Sequence, residues 1–167
     1  MDTIVVAIIV LVLIIMSALT MMIVVFQSAN DLADSWKDME AQSISISDTR
    51  ISVSGNYSNG SLIHIAVYNE GSTNLHDYSR WDVIIQHQSG GASHLLYIGA
   101  GSPQPGEWGF SGIVMADESP EVFDPGILNP GEIMNITARP KVDLTDETAR
   151  VIVSTPNGVT SQCFVTE

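Results

Sequence analysis

Only one cysteine, Cys163, occurs in 167 residues, so no intrachain disulfide can form and no Cys-based zinc spacing exists. Cys163 alternates with Val159 and Val165 in a strand-like run and reads as a small buried residue. Basic residues are almost as scarce. Six lysines and arginines stand against 19 acids, for a net charge of -13. Such a surface repels nucleic-acid phosphates and anionic lipid headgroups, and keeps a domain soluble. No Lys or Arg precedes Lys37, which removes the basic n-region of a secretory signal peptide. No Gly or Pro precedes Gly55, so nothing need interrupt an N-terminal helix. No HExxH, nucleophile-elbow or P-loop pattern occurs. His64, His76, His87 and His94 have no paired metal spacing, although His87 and His94 flank a Gly-Gly turn. Asp117, Glu118, Glu121 and Asp124 crowd one loop, but not in EF-hand register, and read as a solvated acidic loop. These absences point away from an enzyme, a bound cofactor, a metal, a nucleic-acid partner or a small-molecule substrate.

What is present divides at about residue 42. Ile4–Phe26 is 23 residues without a charge, Gly or Pro, with only Ser17 and Thr20 polar. At ~1.5 Å per residue a helix of that length crosses a bilayer. It is apolar on every side, so lipid or other helices must surround it. Beyond Phe26 the apolar residues Ala29, Leu32, Ala33, Trp36 and Met39 keep three-and-four spacing, with Asp31, Asp34, Lys37 and Asp38 between them. This predicts an amphipathic continuation of the same helix to about Gln42, ~60 Å in all. Asp2 stands beside the helix N-terminus, where it can cap. Residues 1–42 carry five acids against Lys37, and the rest carry fourteen acids against five bases. The second part is thus an acidic domain of about 125 residues, enough for its own core.

From Ser43 onward, short β-rich runs alternate with turn clusters. Strands are expected at Ile44–Val53, Leu62–Asn69, Trp81–Gln86, His94–Ile98, Glu132–Ala138, Arg150–Ser154 and Val159–Val165. Asn129-Pro130-Gly131 fits a type II turn, and Thr155-Pro156-Asn157-Gly158 a tight hairpin. The stretch from Gly99 to Leu128 reads as an elaborated loop. The expectation is an α+β chain: residues 1–42 as a hydrophobic assembly or transmembrane helix, and 43–167 as an extracellular, immunoglobulin-like antiparallel β-sandwich.

An apolar run starting within four residues of the N-terminus, followed by this β-pattern, resembles the archaeal type IV filament proteins: archaellins, archaeal pilins and archaellum-associated pilin-like proteins. In the domain the resemblance rests on Ile65–Ser72 ending in Asn69-Glu70-Gly71-Ser72, on Leu128-Asn129-Pro130-Gly131-Glu132, and on Val151–Val159 with its Thr155-Pro156-Asn157-Gly158. Position 5 is Val5, where bacterial type IV pilins carry Glu, which sets the chain nearer archaellins. The resemblance implies removal of a basic leader by a prepilin peptidase. Such a leader accounts for the orientation, since Lys37 alone would draw the domain inward.

The function implied is a structural subunit of an extracellular helical filament for swimming motility, with identical subunits and motor or platform proteins as partners. The subunit waits in the membrane before assembly. Core positions on the helix are Ile4, Ala7, Ile8, Leu11, Ile14, Ile15, Ala18, Met22, Phe26 and Trp36. The alternatives within the class are an adhesive pilus subunit and an accessory pilin that anchors the motor. The alternative outside it is a single-pass anchored binding domain that never polymerises. Three sequons, at Asn56, Asn59 and Asn135, are candidate glycan acceptors. Asn56 and Asn59 are expected in a turn, and Asn135 on the outward side of a strand.

Overall fold

The computed structural model describes residues 2–58, 62–87, 93–99, 102–141 and 148–166. One helix, α1, spans Asp2–Asp48. Eight strands follow: β1 (Ile51–Ser58), β2 (Leu62–Asn69), β3 (Asp82–His87), β4 (Ser93–Ile98), β5 (Glu107–Val114), β6 (Ile133–Arg139), β7 (Ala149–Ser154) and β8 (Thr160–Val165). The chain divides into two compact units, Met1–Ser43 and Ile44–Glu167.

The first unit is helix alone. Its 23-residue apolar run has no competing turn signal, and its two hydroxyl side chains do not disturb it. Thr20 Oγ1 donates within the helix to Met16 O and Ser17 O, at 2.9 Å. A hydroxyl satisfied this way needs no water, so Thr20 does not bar the segment from an apolar environment. The helix is long and apolar enough to cross a membrane.

The second unit is one eight-stranded sheet in the order β1-β2-β6-β5-β4-β3-β7-β8. All pairings are antiparallel except β4 with β5, which run parallel over Tyr97–Glu107 and Ile98–Trp108. That short parallel pair seams two four-stranded halves. At the other end the sheet folds back on itself, nearly as a barrel or sandwich. A Cβ placed on Gly55 of β1 would stand 3.0 Å from Val165 Cγ2 and 3.3 Å from Cys163 Sγ of β8. Glycine at 55 therefore lets the two terminal strands approach. Period-two alternation turns Ile63, Ile65 and Val67 of β2, Val83 and Ile85 of β3, and Val151 and Val153 of β7 into one core. Trp108 and Leu128 are fully buried with them.

The α+β expectation matches this architecture, with three differences of detail. First, the helix runs six residues past Gln42, and the strand expected from Ile44 begins only at Ile51. Ser43-Ile44-Ser45-Ile46-Ser47 alternates like a strand, but its carbonyls find partners that continue the helix. Second, β5 lies within the stretch expected to be loop. A bulge between Phe110 and Gly112 flips the parity of the strand, so its buried large side chains are Trp108 and Ile113, five apart. Alternation cannot be seen in a sequence that switches faces midway. Third, the parallel β4–β5 pair departs from a wholly antiparallel sandwich.

Candidate functional site

Two features stand out: the apolar surface of α1, and a hydrogen-bonded collar where the helix ends. On α1, Ile4, Ala7, Ile8, Leu11, Ile14, Ile15, Ala18, Met22, Phe26 and Trp36 are all exposed. Exposure does not fall on one side only; Ile14 is 63% exposed and Ile15 50%. A single chain thus leaves the whole run from Ile4 to Phe26 exposed. Further along, the polar face is solvated, with Lys37 Nζ 3.5 Å from Asp34 Oδ1.

The collar lies wholly within the second unit and joins the three segments that carry the family resemblance. Asn69, at the end of β2, is buried. Its Nδ2 donates to Thr73 O at 2.8 Å and Leu128 O at 2.9 Å, while its Oδ1 accepts from Gly71 N at 3.0 Å. The turn so formed presses on the end of α1: Ser72 N donates to Asp48 O, and Glu70 N to Arg50 O, both at 2.9 Å. A Cβ on Gly71 would stand 2.4 Å from Asp48 O, so only glycine fits. Below it, Asn129–Glu132 closes through Glu132 N to Asn129 O, with Gly131 at φ 84° as the expected type II turn requires. The buried Glu132 carboxylate accepts from Asn129 N at 2.7 Å. On the other side, Asn157 Nδ2 reaches Ser45 O and Ser45 Oγ at 3.2 Å and Thr49 Oγ1 at 2.8 Å. The last turn of a helix leaves four carbonyls without intrahelical partners. Ser72 and Asn157 supply donors there, and that is why the helix continues to Asp48. In the sequence these segments have the pattern of ordinary turns. The available signal was an Asn with a Gly one or two residues on, Asn157-Gly158 and Asn69-Glu70-Gly71, closing against something other than its own hairpin.

Of the glycan candidates, Asn56 is exposed and belongs to β1 rather than to a turn, opposite His64 on β2. Asn135, between Ala66 and Gly112, is half-buried on the outward side of β6. Both line an open groove of about 550 Å³ with Ser54, His64, Ser111 and Thr137. Asn59 lies outside the described residues, as does the side chain of Asp2.

Titratable groups are dispersed. Among the described residues no three His, Cys, Asp or Glu side chains are grouped to hold a metal. In the acidic loop, Asp117 Oδ1 accepts from Ser119 N at 3.0 Å and Ser119 Oγ at 2.5 Å, and these bonds hold its carboxyl below the usual range. Burial pushes the Cys163 thiol up, away from reactivity. Burial also pushes the Tyr78 phenol up to about 12, with Glu121 and Glu132 adding to the shift. Tyr78 stacks on Phe110 at 5.4 Å and meets Trp81 edge-on at 5.5 Å.

No protein-family model and no curated protein matches the sequence. Solved structures do match. The archaellum periplasmic stator protein FlaG from Sulfolobus acidocaldarius aligns with a TM-score of 0.53 at 17% identity, over 70% of this chain and 98% of that one. The stator complex of FlaF and FlaG from the same organism gives 0.54 at 17% identity, over 70% and 88%. The archaeal flagellin FlaB1 from Methanocaldococcus jannaschii gives 0.50 at 14% identity, over 71% and 89%. The fold of this chain is the one shared by archaellum stator proteins and archaeal flagellin.

Proposed function

We propose that the chain is a structural subunit of an extracellular helical filament of the archaellum type and carries no catalytic activity. The observation that supports this most is the complete exposure of the apolar run Ile4–Phe26 in a single subunit. Water cannot surround such a surface. Fully burying one Leu- or Ile-sized side chain is worth roughly 1.5–3 kcal/mol. The helix rests first in the membrane and then among identical helices at the filament axis, where Ala7, Ser17 and Ala18 allow close approach. The β-domains form the outer surface, and torque passes through the packed helices. Motor and platform proteins are its partners at the base. On that outer surface Asn56 carries a glycan in the native source, and an intact mass equal to the bare chain would contradict this.

The fold likeness to FlaG supports a second reading within the class: a pilin-like accessory protein that joins the motor to the envelope. Quantitative mass spectrometry of sheared filaments separates the two. A filament subunit is the dominant protein along the whole fibre. An accessory protein stays with the cell body, and a chain found only in membranes would remove the filament reading.

A further inference from the structure

Two apolar surfaces of the second unit reach solvent, and they are complementary in charge. One is a loop tip. Val122 is 78% exposed and Phe123 92%. Ordinary exposed apolar residues stand singly and partly covered; here two project together, flanked by Glu121 and Asp124. The tip is held by its own chain. Val114 bridges to Pro120, Met115 N donates to Ser119 O at 2.8 Å, Asp124 N donates to Glu121 Oε1 at 3.1 Å, and Ile127 N donates to Asp124 O at 3.0 Å. A loop braced on both sides loses little freedom when it docks.

The other surface is the outward face of β4, β3, β7 and β8. Pairing register sets Leu95 beside Ile84 and Ile84 beside Ile152, an apolar row across three strands. Phe164, 62% exposed, lies one position along on β8, opposite Arg150. Arg150 is the only Lys or Arg in these four strands. It lies level with Gln86, whereas the one acid of the face, Asp82, pairs at the other end of β3 with Ser154. The outward face of the opposite half is different in kind, presenting Ser54, Asn56, His64, Asn135 and Thr137.

We propose that the Val122–Phe123 tip of one subunit docks on the Leu95–Ile84–Ile152 row of a second copy, with Glu121 and Asp124 facing Arg150. This rests on the filament reading and adds to it which faces of the outer domains meet. The tip is exposed, and the row is open at Leu95 and half-buried at Ile84 and Ile152, with no segment of its own chain seated on either among the described residues, so the contact is made between copies. It is also heterologous: each copy offers a tip to one neighbour and a row to another. A heterologous contact that does not close generates an open helical polymer. It leaves the polar half, with Asn56 and Asn135, facing outward.

The test uses the full-length chain expressed in a filament-forming archaeal host, with Cys163→Ala to remove the native thiol. Phe123→Cys combined with Leu95→Cys in one chain should give, on mild oxidation of filaments or membranes, a ladder of covalent multimers extending beyond dimers. Either cysteine alone should give no ladder. Phe123→Ser should lower filament yield roughly tenfold, as loss of a central aromatic anchor does. Arg150→Glu should lower it less, and Glu121→Arg with Asp124→Arg should restore it. Dimers without a ladder, or no cross-link at all, would overturn the docking mode. If filaments then still formed, the filament reading would stand without it. A ladder from a chain that never forms fibres would keep the contact and remove the filament reading.

Discussion

The helix and the β-domain solve the same problem in opposite ways. The domain buries its apolar residues against one another: Ile63, Val67, Val83, Ile85, Val151 and Val153 are all at 0% exposure. The helix buries none of its own, and every apolar residue from Ile4 to Phe26 is open. One region covers its apolar residues within a single chain and the other leaves them open. Stability and assembly should therefore respond to different mutations, and the two can be broken separately.

The largest effect expected is on assembly. Ile14→Asp would place an unpaired carboxylate in a dry helical core, and carboxylates there are strongly disfavoured. Filaments should be absent by sedimentation and microscopy. Residues 43–167 alone should meanwhile remain a soluble, folded, β-rich monomer by circular dichroism, since that part does not include the residue. Ala18→Trp should reduce filament yield less, by steric exclusion. An unfolded fragment would show that the boundary is misplaced. Within the domain the converse holds. Ile136→Ala, a fully buried position, should lower unfolding free energy by roughly 2–5 kcal/mol in denaturant titration. It should leave the helix's capacity for membrane insertion unchanged.

At the collar a helical turn depends on the domain. Asn69→Ala leaves Gly71 N without its side-chain acceptor and Thr73 O and Leu128 O without their side-chain donor. About 1–3 kcal/mol should be lost on thermal or chemical unfolding. Asn157→Ala should cost less, near 1 kcal/mol, because its sites are only partly buried. Its signature is faster amide exchange at Ser45–Asp48 with strands β2 and β6 unchanged.

A further effect of similar size is expected in alkali. Tyr78 ionises near 12 when folded and near 10 when unfolded. Below pH 10 both states hold the proton and nothing is lost. Between 10 and 12 the unfolded chain releases it first, so stability falls as pH rises, on the order of 1–2 kcal/mol over that window. Tyr78→Phe should flatten the fall, measured by urea midpoints at successive pH values.

How far the sequence could be read follows from the same contrast. The helix was legible because uninterrupted hydrophobicity needs no tertiary information. β2 was legible too, from Leu62 to Asn69, because its two faces alternate cleanly. The helix end was not. Ser45, Thr49, Ser72 and Asn157 decide it together, across more than a hundred residues of chain. β5 was hidden by its own bulge, and the parallel β4–β5 pair by being a property of topology rather than of pattern. The collar was visible only as three turns, because nothing local says that Asn69 and Asn157 close on the same helical turn.

In the proposed filament this helix is the axis of a polymer and the β-domain its surface. Electron cryomicroscopy of filaments sheared from cells expressing the chain tests it most directly. The expected result is a continuous core of packed α-helices, each ~70 Å long, with the eight-stranded domains outside and Ile4–Phe26 contacting neighbouring helices throughout. Filaments lacking this chain, or a fibre whose axis is built from β-domains while the helices lie at its surface, would contradict it.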